Sequence, residues 1–369
     1  MPDRSSRLRG ADPVPTPDLW QAVEARMAGG EPPRQRPGRR FVLALVAVAL
    51  AVAVTGGLVL VLTGGGGPTG PSLNGKMAFV RSRCDGPGYA CMMPSDIYLM
   101  NPDGTGVTRV REGVQPAWSP DGIKLAFVSN TAPRGIYVAN ADGSDGHAVT
   151  TCKQPRCDLH LEPTWSPDGE WIAFIAQLRP GGDQTRPGTS DVWVVNADGT
   201  DPHPVSECRR PDCSGDLLPS WSPDGRRIAF WSSLRGADRW IQTLRVVDVT
   251  TGDVRTLLEC PGCGNAGRIA WSPDGTRLAF SHSNDLYLMG AGGTGLRQLT
   301  DCSHRLPGAP CVLDMDPAWS PDGQWIAFVR LKEELGTPMI SVIRSDGSEL
   351  LSLGVSGYQP AWQPAPAAG

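Results

Sequence analysis

The chain has 369 residues, of which 45 are Gly and 35 are Pro, and only 20% are charged. Gly and Pro both destabilise helix interiors, so this composition excludes a mainly helical protein and favours short strands joined by many turns. The formal net charge of −4 is small for this length, which excludes a globally disordered chain and gives no sign of nucleic-acid binding.

The first 40 residues are rich in Pro and contain eight Arg against five acidic residues. This composition predicts a mostly disordered tail with one short helix over 17–28. Thr16 is a suitable N-cap, Pro17 suits the first helical position, and Gly29 would end the helix. We interpret the helix either as a membrane-proximal segment without a partner or as a docking site for a cytoplasmic partner. The apolar residues on its one face would be Leu19, Trp20, Val23 and Met27.

An uncharged apolar segment runs from Phe41 to Thr63, and its 23 residues are enough to cross a bilayer as one helix. Four arginines between positions 34 and 40 precede it, so the positive-inside rule predicts a cytoplasmic N-terminus and an extracytoplasmic C-terminal part. A cleaved signal peptide is the alternative, but the segment and the region before it are both too long for one. We therefore predict a single-pass cell-membrane protein with a flexible Gly-rich linker at 64–75.

The rest of the chain contains a repeat of the form P-x-W-S-P-D-G-x-x-(I/L)-A-F, with a period of about 49 residues. Five copies are complete, and they begin at positions 116, 163, 219, 269 and 317, with Ile in place of the first Pro at position 269. The second half of a sixth copy stands at 76–79, and its first half stands at 360–364. Each copy predicts four strands: one that ends in Trp, one that contains (I/L)-A-F, an apolar third strand and a short fourth strand. Tight turns, Ser-Pro-Asp-Gly and usually Asp-Gly, separate the first from the second and the third from the fourth.

Because the third strands are apolar at most positions, both faces of each four-stranded sheet should be buried, which requires neighbours on both sides. A closed ring supplies those neighbours. The sequence therefore predicts an all-β, six-bladed propeller of four-stranded blades over 76–364, preceded by the one transmembrane helix and followed by a short tail at 365–369. The split copy would close the ring, because the strand at Trp362 would join the strands that start at Lys76 in one sheet.

This pattern resembles the Pro-Asp repeat of the TolB-like β-propeller family, in which W-S-P-D-G-x-x-I-A-F is followed by D-I-Y-x-M-x-x-D-G. Three segments that begin at Asp96, Asp191 and Asp285 are similar to the second part of that motif. The resemblance covers about residues 75–364, and it implies the propeller fold without implying one function. Related propellers include periplasmic partner-binding proteins, non-catalytic domains of prolyl-oligopeptidase-type peptidases, and some polysaccharide lyases.

All ten cysteines follow position 83, and in an extracytoplasmic protein they are expected to form disulfides. Their positions favour local pairing, because short loops close most easily. A redox C-x-x-C motif or a zinc site at Cys260-Pro-Gly-Cys263 is the alternative for one pair. The connections that contain them emerge on one face of an antiparallel blade, opposite the tight turns. The five close pairs are Cys84/Cys91, Cys152/Cys157, Cys208/Cys213, Cys260/Cys263 and Cys302/Cys311.

Loops on a rigid scaffold commonly bind partners, so we predict that polar residues of the cysteine-bearing loops contact a partner. The sequence contains no G-x-S-x-G motif and no histidine pair with metal-ligand spacing, so we assign no catalytic residue, no metal site and no cofactor. We predict a non-catalytic binding or scaffold module for a protein or an envelope polymer. The candidate contact residues are Arg156, His160, Arg209, Arg210, His304 and Arg305.

Two other functions stay open on the sequence alone. A metal-dependent polysaccharide lyase or hydrolase would place His160, His282 and His304 around the central channel. A transmembrane signal relay would couple the propeller to the helix at 17–28. That helix resembles the cytoplasmic tails of actinobacterial membrane proteins tied to sigma-factor regulation.

Overall fold

A computed structural model describes residues 75–83, 95–151, 157–178, 189–206, 208, 213–236, 240–261, 266–302, 311–332 and 337–364. The chain divides into two compact units, Met1–Gly65 and Gly66–Gly369, and every described residue belongs to the second. The described elements are 24 β-strands, which form six four-stranded antiparallel sheets. The prediction of an all-β propeller with six four-stranded blades is therefore confirmed.

Each blade contains four consecutive strands, except blade 1, which takes its innermost strand from the C-terminal end. Blade 1 consists of β24 (Tyr358–Trp362), β1 (Met77–Ser82), β2 (Ser95–Met100) and β3 (Thr108–Glu112). Blade 2 consists of β4 (Val114–Trp118), β5 (Lys124–Val128), β6 (Ile136–Asn140) and β7 (His147–Ala148). Blade 3 consists of β8 (Cys157–Trp165), β9 (Trp171–Leu178), β10 (Thr189–Asn196) and β11 (His203–Pro204). Blade 4 consists of β12 (Cys213–Trp221), β13 (Arg227–Arg235), β14 (Trp240–Asp248) and β15 (Val254–Pro261). Blade 5 consists of β16 (Ile269–Trp271), β17 (Arg277–His282), β18 (Asp285–Gly290) and β19 (Arg297–Gln298). Blade 6 consists of β20 (Cys311–Trp319), β21 (Trp325–Lys332), β22 (Pro338–Arg344) and β23 (Leu350–Ser356).

The core lies between the blades and is repeated six times around the ring. Each apolar cluster is built mainly from two neighbouring blades, and the series includes a cluster between blades 6 and 1. A blade taken alone would therefore expose two apolar faces, and the ring is the unit that folds. The second strand of every blade contributes a phenylalanine that is at most 1% exposed: Phe79, Phe127, Phe174, Phe230, Phe280 and Phe328.

The split repeat closes the ring as predicted. β24 pairs antiparallel with β1, and the register places Trp362 opposite Met77 and Ala361 opposite Ala78. The corresponding strands of blade 2 have the same register, with Trp118 opposite Leu125. Both ends of the propeller sequence are thus held in one sheet.

The two faces of the ring have different connections. The face formed by the tight turns is called the turn face below, and the opposite one is called the cysteine-loop face. In each Ser-Pro-Asp-Gly turn the Gly N–H donates to the Ser carbonyl at 2.8–3.0 Å. The five turn glycines have φ between 68° and 75°, the left-handed conformation that glycine adopts without steric cost.

The predicted tail 1–40 with its helix at 17–28, the apolar segment 41–63, the linker up to residue 74 and the tail 365–369 lie outside the described residues. Within the part of the chain that the structure describes, no helix has the length and apolar character needed to cross a membrane.

Candidate functional site

The six inner strands, β4, β8, β12, β16, β20 and β24, wall a central channel. In each of them the residue before the tryptophan has a small side chain and is half-buried, whereas the residue before that one is buried. Because the wall is built from small side chains at this level, the channel encloses a cavity of about 520 Å³. These six residues, which we call the collar, are Ala117, Thr164, Ser220, Ala270, Ala318 and Ala361.

The repeated tryptophans join neighbouring inner strands around the collar. The indole N–H groups of Trp118, Trp271, Trp319 and Trp362 each donate to the backbone carbonyl of the collar residue in the preceding blade, at 3.0–3.1 Å. In these four blades Trp supplies an inter-blade hydrogen bond as well as apolar burial. In blades 3 and 4 the indole N–H groups of Trp165 and Trp221 have no hydrogen-bond partner among the described residues.

The cavity extends from the turn face into the ring. Four prolines of the turn face line its mouth, namely Pro223, Pro273, Pro321 and Pro364. Glu162, Leu218 and Arg268 line its other end, and they lie nearer the cysteine-loop face because each precedes its tryptophan along the strand. The site is thus a pocket with an apolar mouth, a collar of small residues and charged groups at its deep end.

Glu162, Leu218 and Arg268 are three members of a second ring, formed by the residue three positions before each tryptophan. Five of its members have φ between 54° and 57°, which is uncommon for residues other than glycine. The strand register shifts at this point in five of the blades, so the unusual backbone belongs to a β-bulge that recurs around the ring. The members of this floor ring are Gln115, Glu162, Leu218, Arg268, Asp316 and Gln359.

Hydrogen bonds link four members of the floor ring from blade to blade. The Asp316 carboxylate accepts the backbone N–H of Gln359, and Gln359 Oε1 accepts the backbone N–H of Gln115 at 2.9 Å. Gln115 Oε1 then accepts the backbone N–H of Glu162 at 2.9 Å, and Gln115 Nε2 donates to Glu162 Oε1. The side chains of Asp316, Gln359 and Gln115 thus each accept the backbone N–H of the floor-ring residue in the next blade, which stabilises the unusual backbone.

Arg268 crosses the channel to reach Glu162. Its Nη2 lies 3.1 Å from Glu162 Oε2, so the contact joins the inner strands of blades 5 and 3, which are not neighbours in the ring. Burial raises the pKa of the Glu162 carboxyl, and the positive charge of Arg268 opposes this shift. Burial also raises the pKa of the Asp316 carboxyl, again against the charge of Arg268. Among the described residues, no cation lies within ion-pair distance of Asp316.

Sequence reasoning missed the floor ring, although a signal for it was present. The position three residues before the tryptophan is polar in five of the six repeats, inside strands that are otherwise rich in apolar residues. Its identity varies from repeat to repeat, and for that reason it did not enter the repeat motif. A variable polar position beside invariant turn and core residues is typical of a binding surface on a rigid scaffold.

Of the predicted contact residues, only His160 lies among the described ones; Arg156, Arg209, Arg210, His304 and Arg305 lie outside them. His160 is half-buried in β8, where its ring meets the edge of Phe174 at 5.1 Å between centroids. Its Nδ1 lies 2.8 Å from Thr150 Oγ1. Burial lowers the pKa of His160 to about 4, so the imidazole is neutral at pH 7. Its role in partner binding stays a prediction.

Disulfides are present on the cysteine-loop face. Cys208 and Cys213 are bonded to each other, as predicted, with their Cα atoms 5.4 Å apart. Cys260 and Cys302 each take part in a disulfide as well. The side chains of the other predicted members, Cys84, Cys91, Cys152, Cys157, Cys263 and Cys311, lie outside the described residues.

Two aspartates of the repeat hold the start of cysteine-bearing loops, a role that the sequence did not indicate. Asp191 Oδ1 accepts the backbone N–H of Cys208 at 2.7 Å, and Asp285 Oδ1 accepts that of Cys302 at 2.5 Å. Both bonds link residues 17 positions apart. The first residue of the D-(V/L)-(W/Y) segment thus anchors the loop that leads into the next blade.

Within the described part of the chain, one group of side chains has metal-ligand spacing: Cys208, Cys213 and Asp216. The two sulfur atoms are bonded to each other, so they offer no thiolate to a metal. Asp216 accepts a hydrogen bond from Ser232 at 2.5 Å and is 2% exposed. This group therefore supports the loop rather than a metal site.

The recurring motif, the closed six-bladed ring and the Trp collar agree with a match of residues 183–366 to the TolB beta propeller domain family. The chain contains a TolB-like β-propeller. TolB from Acinetobacter baumannii has a similar fold, with a TM-score of 0.59 and 21% identity over 79% of this chain and 67% of that one. A chain of Kuenenia stuttgartiensis hydrazine synthase gives a TM-score of 0.58 and 16% identity over 79% of this chain and 47% of that one.

The likeness extends to proteins of other kinds. A chain of the nidogen/laminin complex gives a TM-score of 0.52 at 8% identity, over 78% of this chain and 98% of that one. At such identities the comparisons show the fold of the TolB-like propeller and leave its function open. No curated protein matches the sequence.

Proposed function

We propose that the protein is a binding module that does no chemistry itself: an extracytoplasmic propeller, anchored by the segment 41–63, that binds a protein partner at the mouth of its channel. The observation that carries this proposal is the cavity of about 520 Å³ at the centre of the ring. Its volume lies within the range of roughly 300–1,000 Å³ that is typical of ligand sites. The proposal moves the contact surface from the cysteine-loop face, which the sequence favoured, to the turn face.

The ring supplies a preformed surface. Its closure through β24 and β1 and its inter-blade tryptophan bonds hold the collar in place before any partner arrives. A partner segment that enters such a pocket loses its own freedom but does not have to order the receptor, which favours affinity.

The compartment and the anchor rest on separate observations. The Cys208–Cys213 disulfide supports an oxidising environment for the propeller. The arginines before the apolar segment support a cytoplasmic N-terminus. We expect a tag at position 369 to be accessible without breaking the membrane, and a tag at position 1 to be accessible only after lysis. The reverse pattern would contradict this orientation.

Photo-crosslinking in intact cells tests the proposed contact surface. A photoreactive amino acid would replace Ile123, which is 59% exposed on the turn face, or Trp240, which is 52% exposed on the cysteine-loop face. The two positions are matched in exposure and differ in face. We expect a discrete protein adduct from position 123 in the full-length chain and none from position 240.

Each other result has a defined meaning. An adduct from position 240 alone would show that the cysteine-loop face binds, as the sequence predicted, and that the channel mouth does not. Absence of adducts from both positions would contradict the protein-binding function.

A further inference from the structure

The deep end of the cavity holds an ion pair. Glu162 and Arg268 both line the cavity, and their charged groups lie 3.1 Å apart. Because each charge of the pair already has its counter-charge, a charged ligand group beside it would lose hydration without gaining a free partner. The pair therefore favours a neutral group that can form hydrogen bonds.

Most N–H groups of Arg268 are left for a ligand. Its one ion-pair contact among the described residues runs from Nη2 to Glu162, whereas a guanidinium has five N–H donors. The Nε atoms of Arg111 and Arg245 also have no partner, but they are sealed from solvent. No nitrogen of Arg268 is sealed in that way, and the residue lines the cavity, so its remaining donors are accessible from the channel.

Glu162 offers hydrogen-bond acceptors beside these donors. Gln115 Nε2 donates to its Oε1, and its Oε2 faces Arg268. A carboxylate has about four lone-pair sites, so part of this capacity remains. The pair thus presents a donor and an acceptor side by side, and a primary carboxamide, with one carbonyl and one NH₂ group, is complementary to both.

Two hydroxyl groups lie between the ion pair and the mouth. Thr164 and Ser220 are collar residues, and the structure gives their half-buried hydroxyl groups no hydrogen-bond partner among the described residues. The collar lies two residues above the floor ring along each strand, which is a step of about 6.6 Å. A ligand backbone at the collar could bond to these hydroxyls while a side chain reaches down to the ion pair. The other four collar residues are alanines, which suit the methylene groups of such a side chain.

The rim of the mouth has no single sign of charge. The five Ser-Pro-Asp-Gly turns carry aspartates, and the positions that follow them carry cations at Lys124, Arg226, Arg227 and Arg277. Arg227 Nη2 lies 3.4 Å from Asp224 Oδ2, so part of this charge is paired within the rim. Such a rim selects neither cations nor anions, which agrees with a neutral ligand group at the deep end.

We propose that the channel binds a glutamine side chain of the protein partner, with its carboxamide on the Glu162–Arg268 pair. This inference rests on the proposed protein-binding function and names the chemistry of the contact. The carboxamide carbonyl accepts from Arg268, its NH₂ group donates to Glu162, and its methylene stem passes the collar alanines.

Peptide binding to the full-length protein in lipid nanodiscs tests the inference at constant ionic strength. The probes are acetyl-Gly-Gln-Gly-amide and the same peptide with Glu or norleucine in place of Gln. Glu keeps the shape and adds a charge, and norleucine keeps the stem and removes the polar group. We expect both replacements to weaken binding at least tenfold.

The variant E162Q tests the ion pair itself. It leaves Arg268 without its counter-charge, so we expect the preference to reverse and the Glu peptide to bind more tightly than the Gln peptide. The ratio of the two affinities does not depend on the folded fraction of the variant. The matched control is E170Q, since Glu170 is an exposed turn-face carboxylate outside the cavity lining. It should keep the wild-type ratio.

Every other result counts against the inference. Equal binding of the three peptides to the wild-type protein would overturn it, and this comparison needs no variant to fold. An unchanged ratio in E162Q, or the same change in E170Q, would overturn the role of the ion pair. Binding of maltopentaose without binding of any peptide would make the cavity a saccharide site and overturn it.

The failure of this inference and the failure of the proposed function can be distinguished. Adducts from position 123 in cells, together with no preference for the Gln peptide, would overturn the glutamine contact alone. Absence of adducts and of peptide binding would overturn both.

Discussion

In the five complete repeats a serine follows the tryptophan. At the split blade, Gln363 stands in the place of that serine. In blade 2 that serine, Ser119, accepts the N–H of Lys124 with its Oγ at 2.9 Å. Gln363 does the same with a longer side chain, because its Oε1 accepts the N–H of Lys76 at 2.7 Å. Its Nε2 also donates to the Gly122 carbonyl of the next blade at 2.7 Å. One side chain thus joins the C-terminal strand, the N-terminal strand and blade 2.

The substitution Gln363→Ala should destabilise the ring by about 1–3 kcal/mol, because it removes two hydrogen bonds at the closure. Gln324→Ala is the control, since Gln324 is exposed and its side chain makes no hydrogen bond among the described residues. Denaturant unfolding of both variants measures the difference. Equal free energies of unfolding for the two would contradict the role given to Gln363.

His160 makes stability depend on pH. Its pKa is about 4 in the folded protein and about 6.5 in the unfolded chain, so the unfolded state takes up the proton first as the pH falls. The stabilising contribution is complete above pH 6.5 and is lost as the pH falls toward 4. We expect the wild type to lose about 1–3 kcal/mol more than His160→Gln between pH 7 and pH 4. Denaturant unfolding across this range measures the difference, and parallel pH profiles would contradict the buried, neutral imidazole.

At the scale of elements, the second turn of each blade shows why its glycine recurs. A Cβ atom on the turn glycines of blades 1, 2, 3 and 5 would lie 2.5–3.1 Å from a backbone carbonyl of the preceding blade. The turn therefore packs directly on its neighbour, and no side chain fits between them. Blade 4 is different, because a Cβ atom on Gly252 would meet nothing within 4 Å, and its turn is Thr-Gly instead of Asp-Gly.

Gly199→Ala and Gly252→Ala form a matched pair on this point. Both glycines have positive φ, at 88° and 75°, so both variants carry the backbone strain of about 1–2 kcal/mol. Only in Gly199→Ala would the new Cβ atom also lie 2.8 Å from the Val149 carbonyl oxygen. We expect this contact to lower the free energy of unfolding by a further ~1–3 kcal/mol. Thermal and denaturant unfolding compare the two, and an equal loss would show that the blades are not in close contact here.

At the scale of the whole molecule, stability depends on closure, because every blade is packed on two others. Removal of β24 would leave blade 1 with three strands, and the bonds from Trp362 to Ala318 and from Trp118 to Ala361 would be lost. We expect a chain that ends at Gly357 to lose cooperative unfolding, whereas a chain that ends at Pro364 should unfold like the wild type. Circular dichroism and tryptophan fluorescence measure both, and an unchanged midpoint in the shorter chain would contradict closure as the source of stability.

The sequence by itself determined the number of blades, the order of strands within them and the split closure. These features follow from local chemistry: turn residues, the left-handed glycines and apolar strands lie within about a dozen residues of each other in every repeat. The pairing of Cys208 with Cys213 was predictable for the same reason, since only five positions separate them.

Only the tertiary structure decided where the pocket lies and what its deep end contains. The hydrogen bonds of the floor ring join residues 47 and 244 positions apart, and Arg268 reaches Glu162 across a blade. The neutral state of His160 likewise depends on its burial against its neighbours. Such features arise where different blades meet, so no single repeat encodes them. The ring had to close before a variable polar position became the charged end of a channel.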